Sequence, residues 1–361
     1  MTTSLRRGSL VWLVAIACAA SVRAQTTPWT STGVANGDAF GNSVSGGMDL
    51  DGDGVPDIVS GAPQDHPTVP GTGYARAISG ASGAALFTVA GDAAGSQFGR
   101  SVAIVGDLDH DGRADVVVGA PNDAAHGAGA GMARAFSGAG GAVLYSVFGS
   151  SGDHLGSSVA GIGDLNGDGF PDFAAGAPRA GMLSGYARIY SGRNGSVLGT
   201  LNGTSAGDRF GTSVAGAGDV NHDSIPDLIV GATGESGAGT NAGRAYVFSG
   251  SGGARLFTFD GPAPGAQLGN AVASAGDVDA DGYLDLIIAA SHDLFGKGSV
   301  YVRSGQTGAE LYHYIGSTVD DFMGHAVSTC GDVDGDGHAD FMYAGEENFN
   351  DLHTGSVFVR S

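Results

Sequence analysis

Cysteine is nearly absent: of two in 361 residues, only Cys330 lies beyond the first 24. No intramolecular disulfide can brace the rest, so stability must come from packing or bound ions. Cys330 falls in an apolar stretch whose counterparts carry Val105, Ile162, Ala217 or Ala275, the setting of a buried, inert thiol. Basic residues are scarce, 16 against 37 acidic, for a formal charge of −21. With no basic stripe, nucleic-acid binding is disfavoured. No segment beyond the first 24 residues approaches 18 continuous apolar residues, so no membrane span is expected. None sustains a helical period either. A Gly-x-Ser-x-Gly elbow, a phosphate loop and a zinc signature are all missing, and the ten histidines show no metal-ligand spacing.

Residues 1–24 have the layout of a secretory signal: Arg6 and Arg7, an apolar stretch from Leu10 to Ala20, then Val22-Arg23-Ala24 as a cleavage site. The reading leaves a secreted or extracytoplasmic domain over 25–361. Two rival readings are a twin-arginine signal at Arg6-Arg7, for which Ser9 is a poor fit, and lipoprotein anchoring at Cys18, whose box lacks the usual leucine.

What is present in excess is aspartate at fixed intervals. The loop Asp49-Leu50-Asp51-Gly52-Asp53-Gly54-Val55-Pro56-Asp57 returns at Asp107, Asp164, Asp219, Asp277 and Asp332, with spacings of 55 to 58 residues. Six loops hold 22 of the 37 acidic residues. Without a cation such clusters would repel strongly. The 67 glycines fall at set places in the repeat and not in low-complexity runs, which argues against disorder.

Each unit carries the same ordered signals. A mark comes first, at Phe40-Gly41, Phe98-Gly99, Leu155-Gly156, Phe210-Gly211, Leu268-Gly269 and Met323-Gly324. A short strand leads into the acidic loop, and an apolar run such as Val116-Val117-Val118-Gly119-Ala120-Pro121 follows it. An alternating third segment and a Gly-rich turn to a fourth complete the unit. Four short strands per unit of about 56 residues predict an all-β fold, a β-propeller of six four-stranded blades. The sixth unit stops after its third strand, and Trp29-Thr30-Ser31-Thr32-Gly33 stands where a fourth strand precedes every later mark. The N-terminal strand is therefore expected to complete the last blade and remove two open edges.

The Phe-Gly marks, the Asp-x-Asp-x-Asp-Gly-x-x-Asp loops and the Gly-Ala-Pro strand ends together resemble the FG-GAP repeats of integrin alpha-subunit propellers and of secreted bacterial proteins. The resemblance covers about Trp29 to Ser361. It implies a propeller with Ca²⁺ in the loop between the first two strands of a blade. Six copies stand where the integrin pattern has seven, and the other integrin domains are not recognised in this sequence, so signalling through a membrane partner is not carried over as an expectation.

Alternate oxygen donors, a glycine and a further carboxylate suit a hard cation. Side-chain ligands are expected at positions one, three, five and nine, with a main-chain carbonyl at position seven. These are Asp49, Asp51, Asp53, Val55 and Asp57; Asp107, Asp109, Asp111, Arg113 and Asp115; Asp164, Asn166, Asp168, Phe170 and Asp172. The later loops give Asp219, Asn221, Asp223, Ile225 and Asp227; Asp277, Asp279, Asp281, Tyr283 and Asp285; Asp332, Asp334, Asp336, His338 and Asp340. Position six wants a residue tolerant of positive φ. Loop four has Ser224 there, and Asn221 at position three, so it should be the loosest site, with loop three next. An EF-hand is excluded because its twelfth-position Glu is replaced by Ser60 or Val118.

No catalytic constellation is visible. Asp38, Asp153, Asp208 and Asp321 stand two residues before a mark, which suggests a shared turn role. The connections from second to third strand, over 64–72, 122–130, 179–184, 234–242, 292–297 and 347–354, emerge opposite the acidic loops. They carry Asp65, His66, Asp123, His126, Arg179, Glu235, His292, Asp293, Glu347 and Asp351. Loops on a rigid scaffold are where binding residues tend to lie. The sequence thus reads as a non-catalytic, monomeric binding, adhesion or scaffold module for an extracellular protein or glycan. The alternative is a carbohydrate-active lyase or hydrolase with a carboxylate pair at the central channel.

Overall fold

The computed structural model describes residues 29–35, 37–65, 71–179, 184–349 and 352–361, with backbone only at 346–349 and 352–354. The stretch 1–24 read as an export signal, His66 and Asp351 lie outside the described residues. The chain forms six antiparallel sheets arranged as a β-propeller. In blade one the strands Ser43–Met48, Asp57–Ala62, Tyr74–Ile78 and Ala85–Ala90 pair in chain order. Blades two to five repeat this, opening with Ser101–Gly106, Ser158–Gly163, Phe210–Gly218 and Val272–Gly276. The first strands of consecutive blades lie against one another around the axis.

Second strands such as Asp115–Ala120 and Asp285–Ala290 are buried throughout. Their apolar runs lie between neighbouring blades, where both faces of a strand are covered. Fourth strands alternate, as in Arg255–Asp260, because they form the outer edge.

The mark is the staple between blades. Phe98 and Leu155 are fully buried, and the preceding blade's Gly73 and Gly131 make parallel bridges to them. Gly185, Gly243 and Gly298 do the same to Phe210, Leu268 and Met323. The following glycine must be glycine: Gly99 has φ +87°, and a Cβ there would strike the Tyr74 carbonyl. A side-chain donor of the earlier blade then binds the glycine carbonyl, Ser43 to Gly99, Ser101 to Gly156 and Ser158 to Gly211 at 2.8–3.0 Å. Asn270 does so to Gly324 at 2.9 Å.

Blade six departs from expectation twice. Its second and third strands, Asp340–Phe349 and Leu352–Arg360, stay paired over 347–349 and 352–354, inside the stretch read as a loop. Its sheet has three strands. Trp29 nevertheless sits at the place of a fourth strand: a Cβ on Gly83 would meet its ring, as one on Gly141 would meet Phe87 of blade one. Arg76 also donates to the Thr32 carbonyl at 2.9 Å. The segment 29–33 seals blade one by packing yet makes no ladder with Leu352–Arg360.

Candidate metal loops

Each acidic loop is curled by its own amides. In loop one the Asp49 carboxylate accepts from the amides of Asp51, Gly52 and Gly54 at 3.1, 2.6 and 2.7 Å. Asp51 accepts from Asp53 at 3.0 Å, and Asp53 from Val55 at 2.8 Å. The bond from position six to the first carboxylate recurs in the other five loops at 2.8–3.0 Å. Ser224 makes it too, by taking φ +69° against the preference of a residue with a Cβ. The substitution therefore strains loop four without altering its course.

The ninth-position aspartates form the floor. Asp57, Asp115, Asp172, Asp227 and Asp285 are wholly buried, and Asp340 nearly so. One oxygen of each accepts the position-two amide, from Leu50, Leu108, Leu165, Val220, Val278 or Val333, at 2.6–2.9 Å. In the first five loops the other oxygen takes the amide of the glycine after the third strand, Gly80, Gly138, Gly192, Gly250 or Gly305, at 2.8–3.0 Å. Asp340 Oδ1 is buried without a partner. Burial, reinforced by neighbouring carboxylates, pushes Asp115 up to about 7 and Asp285 up to about 6. Asp57, Asp172 and Asp227 are raised too, burial again being the main cause. At Asp49 burial also opposes ionisation, but the amides of Gly54, Gly52, Asp51 and Asp53 outweigh it and hold the carboxyl low.

Carboxylate oxygens of Asp49, Asp51 and Asp53 lie within 4.8 Å of one another, as do those of Asp332, Asp334 and Asp336. The triads of loops two and five are Asp107, Asp109 and Asp115, and Asp277, Asp279 and Asp285. In loop three Asn166 Oδ1 accepts the Asp168 amide at 2.9 Å, and in loop four Asn221 Nδ2 donates to Asp223 at 3.1 Å. Converging oxygens over a buried carboxylate that resists ionisation alone fit a hard divalent cation.

Sequence reasoning assigned nothing to His110 and His222, and these two prove to join loops. His110, at position four of loop two, stacks on Phe170 of loop three with ring centres 3.8 Å apart, and its Nε2 lies 3.0 Å from the Gly169 carbonyl. His222 of loop four repeats this on Tyr283 and Gly282 of loop five, at 3.8 and 3.1 Å. The signal was there in hindsight: a histidine at position four whenever the next loop has an aromatic at position seven.

On the opposite face, the shared turn role holds. Asp38 Oδ2 accepts from Tyr74 and the amides of Val34 and Ala35, and Asp153 Oδ2 from Tyr186 and Ser150. Asp208 and Asp321 take the amide and hydroxyl of Thr204 and Thr318. Three residues considered for binding are internal braces instead. Asp123 is buried and holds the Ala125 amide, Glu235 holds Arg244 and Tyr246, and Asp293 holds Ser299. Asp65, His126, Arg179 and His292 remain exposed. Cys330 is buried, and its thiol is pushed up to about 11 by burial.

Fold and loops together define a propeller with one acidic loop between the first two strands of each blade. Consistent with this, the FG-GAP repeat model matches residues 40–77, 98–136, 155–198 and 210–248, and an FG-GAP-like repeat model matches 277–343. The chain belongs to the FG-GAP repeat family. It is similar to integrin alpha-V of Gallus gallus, 33% identical over 205 residues, which is 52% of this chain and 20% of that protein. Integrin alpha-5 of Xenopus laevis is 31% identical over 210 residues, 52% of this chain and 19% of the relative. Integrin alpha-8 of Gallus gallus is 32% identical over 239 residues, 58% and 21% respectively. The chain thus spans about a fifth of the length of these relatives.

Proposed function

We propose that this chain is a secreted, calcium-stabilised propeller over 25–361 that acts as a non-catalytic binding or adhesion module. The observation that carries the reading is the row of six oxygen-donor loops on one face, each curled by its own backbone over a buried aspartate. Bound Ca²⁺ would take positions one, three, five and nine and the position-seven carbonyl, and would offset the repulsion among the carboxylates. The ligand, an extracellular protein or glycan, would lie on the opposite face, where connections differ from blade to blade. Similarity to integrin alpha subunits supports an interaction role. Among the described residues no helix is long and apolar enough to cross a membrane, which is compatible with export. The channel-enzyme alternative gains no support, because none of the six axial strands contains Asp or Glu.

Native mass spectrometry of the purified protein would count the bound ions, and protein and glycan arrays run with calcium and with chelator would find the ligand. Retained ions and chelator-sensitive binding are expected. A protein that carries no ion at millimolar calcium would sink the reading.

A further inference from the structure

Neighbouring acidic loops are joined by two different means around the ring, and at two junctions by neither. Loops one and two are tied through the main chain, the Ala114 amide donating to the Asp49 carbonyl at 2.9 Å. Loops five and six repeat this with Ala339 and Asp277 at 2.8 Å, and His338 adds a contact to the Val278 carbonyl at 3.1 Å. The donor is the position-eight amide. Loop three has Pro171 at that position and loop four Pro226, so neither can make the bond.

Between loops two and three the His110 clasp on Phe170 and Gly169 replaces the lost bond, and between loops four and five the His222 clasp serves. Both histidines hold a left-handed backbone, φ +61° and +58°. Loops one, three and six place Gly52, Gly167 and Gly335 there, and loop five Ala280 at φ +57°. A side chain in this region strains the backbone. Between loops three and four, and between loops six and one, no hydrogen bond or ring contact is made among the described residues. The junction of loops six and one is open even to packing: Gly331, whose counterpart Gly163 faces Pro226, has nothing beside it.

We infer that the six loops act as two arcs of three, one to three and four to six, within which ion binding is coupled and between which it is not. His110 and His222 are the positioning residues that carry each arc across a junction lacking the main-chain bond. The inference rests on the cation reading above. Its physical basis is that His110 lies between Asp109 and Asp111 of one loop and is fastened to the sixth and seventh residues of the next. Ordering one loop therefore spends conformational freedom that its neighbour no longer has to lose.

The test is calcium titration of the full chain labelled with ¹⁵N-glycine. The position-six amides of Gly54, Gly112, Gly169, Gly282 and Gly337 report their own loops. Disabling loop three with Asp164→Ala should weaken binding at Gly112 by about fivefold, within the usual range of site coupling, and leave Gly282 unmoved. In a His110→Gly background the same change should leave Gly112 unmoved. Glycine suits this backbone, as in loops one, three and six, so the variant is expected to fold, and its melt at saturating calcium checks this. His110→Phe, which keeps the stack without the donor, should retain part of the coupling. Equal shifts at Gly112 and Gly282, or the same Gly112 shift with and without His110, would overturn the arcs alone. No calcium-dependent shift at any of the five glycines would overturn the cation reading and the arcs with it.

Discussion

The five junctions between consecutive blades are built alike, whereas the junction that closes the ring, blade six to blade one, is not. In the five, a bulky mark is bridged to the preceding blade. At the closing junction Phe40 packs within blade one, on Tyr74 with ring centres 5.9 Å apart, and makes no such bridge among the described residues. Blade six differs at the glycine that makes the bridge elsewhere: Gly355, the counterpart of Gly298, is paired with Glu346 in the long hairpin. Ala326 and Ala344 stand at the positions of Ser43 and Gly61, as Ala271 and Ala289 do in blade five, whose bridge to Met323 is intact. A cavity of about 360 Å³ remains, lined by Asn42, Val44, His325, Val327 and Tyr343 among others. The difference teaches that a repeat closes a ring only as well as its last copy preserves the residues read by its first.

Ion removal is the largest perturbation of that comparison. Each site at a hundredfold excess of calcium over its Kd contributes about 2.7 kcal/mol, so chelation should lower the melting temperature by well over 10 °C. Hydrogen exchange should show protection lost first in blades six and one. Uniform loss around the ring would erase the distinction. Next in size are the marks. Phe98→Ala removes a fully buried ring at a built junction and should cost about 3–5 kcal/mol in denaturant melts. Phe40→Ala should cost roughly half that, because it empties a smaller cluster. Equal costs would mean the closing junction is as well made as the rest.

Acidity gives a smaller, signed effect. Burial raises the Asp115 carboxyl to about 7 from 3.8. A raised carboxyl favours the protonated fold, so in ion-free protein its contribution is fully present below the unfolded value and is lost as pH rises through about 7. Ion-free melting temperature should fall between about pH 4 and 7 and level off above, and saturating calcium should flatten that slope. The smallest change is a repair. Ala326→Ser restores the missing hydroxyl and should gain about 0.5–1 kcal/mol, measurable as a shift in the denaturation midpoint. No gain would show that the cavity, and not the lost donor, sets the weakness.

Much of this was legible in one dimension because the fold is a repetition. Marks, loops and strands recur in register, so each copy corroborates the others, and the buried thiol at Cys330 followed from its aligned neighbours. What could not be read are contacts between copies. The pairing of His110 with Phe170 spans 60 residues and needs the knowledge that position four of one loop faces position seven of the next. Glu235 and Asp293 looked like free polar groups on variable loops, yet Tyr246 and Ser299 of the following strand enclose them. The loop drawn at 347–354 is largely strand, since Asp340–Phe349 and Leu352–Arg360 keep pairing past the point where the second strands of the earlier blades end.

One consequence of the mark has to do with time. It stands at the start of its own unit but completes the wall of the unit before it, so every blade, once formed, offers a finished template to the stretch of chain that follows. A polypeptide emerging amino end first can therefore build its ring one sector after another, in one rotational sense, without waiting for its far end.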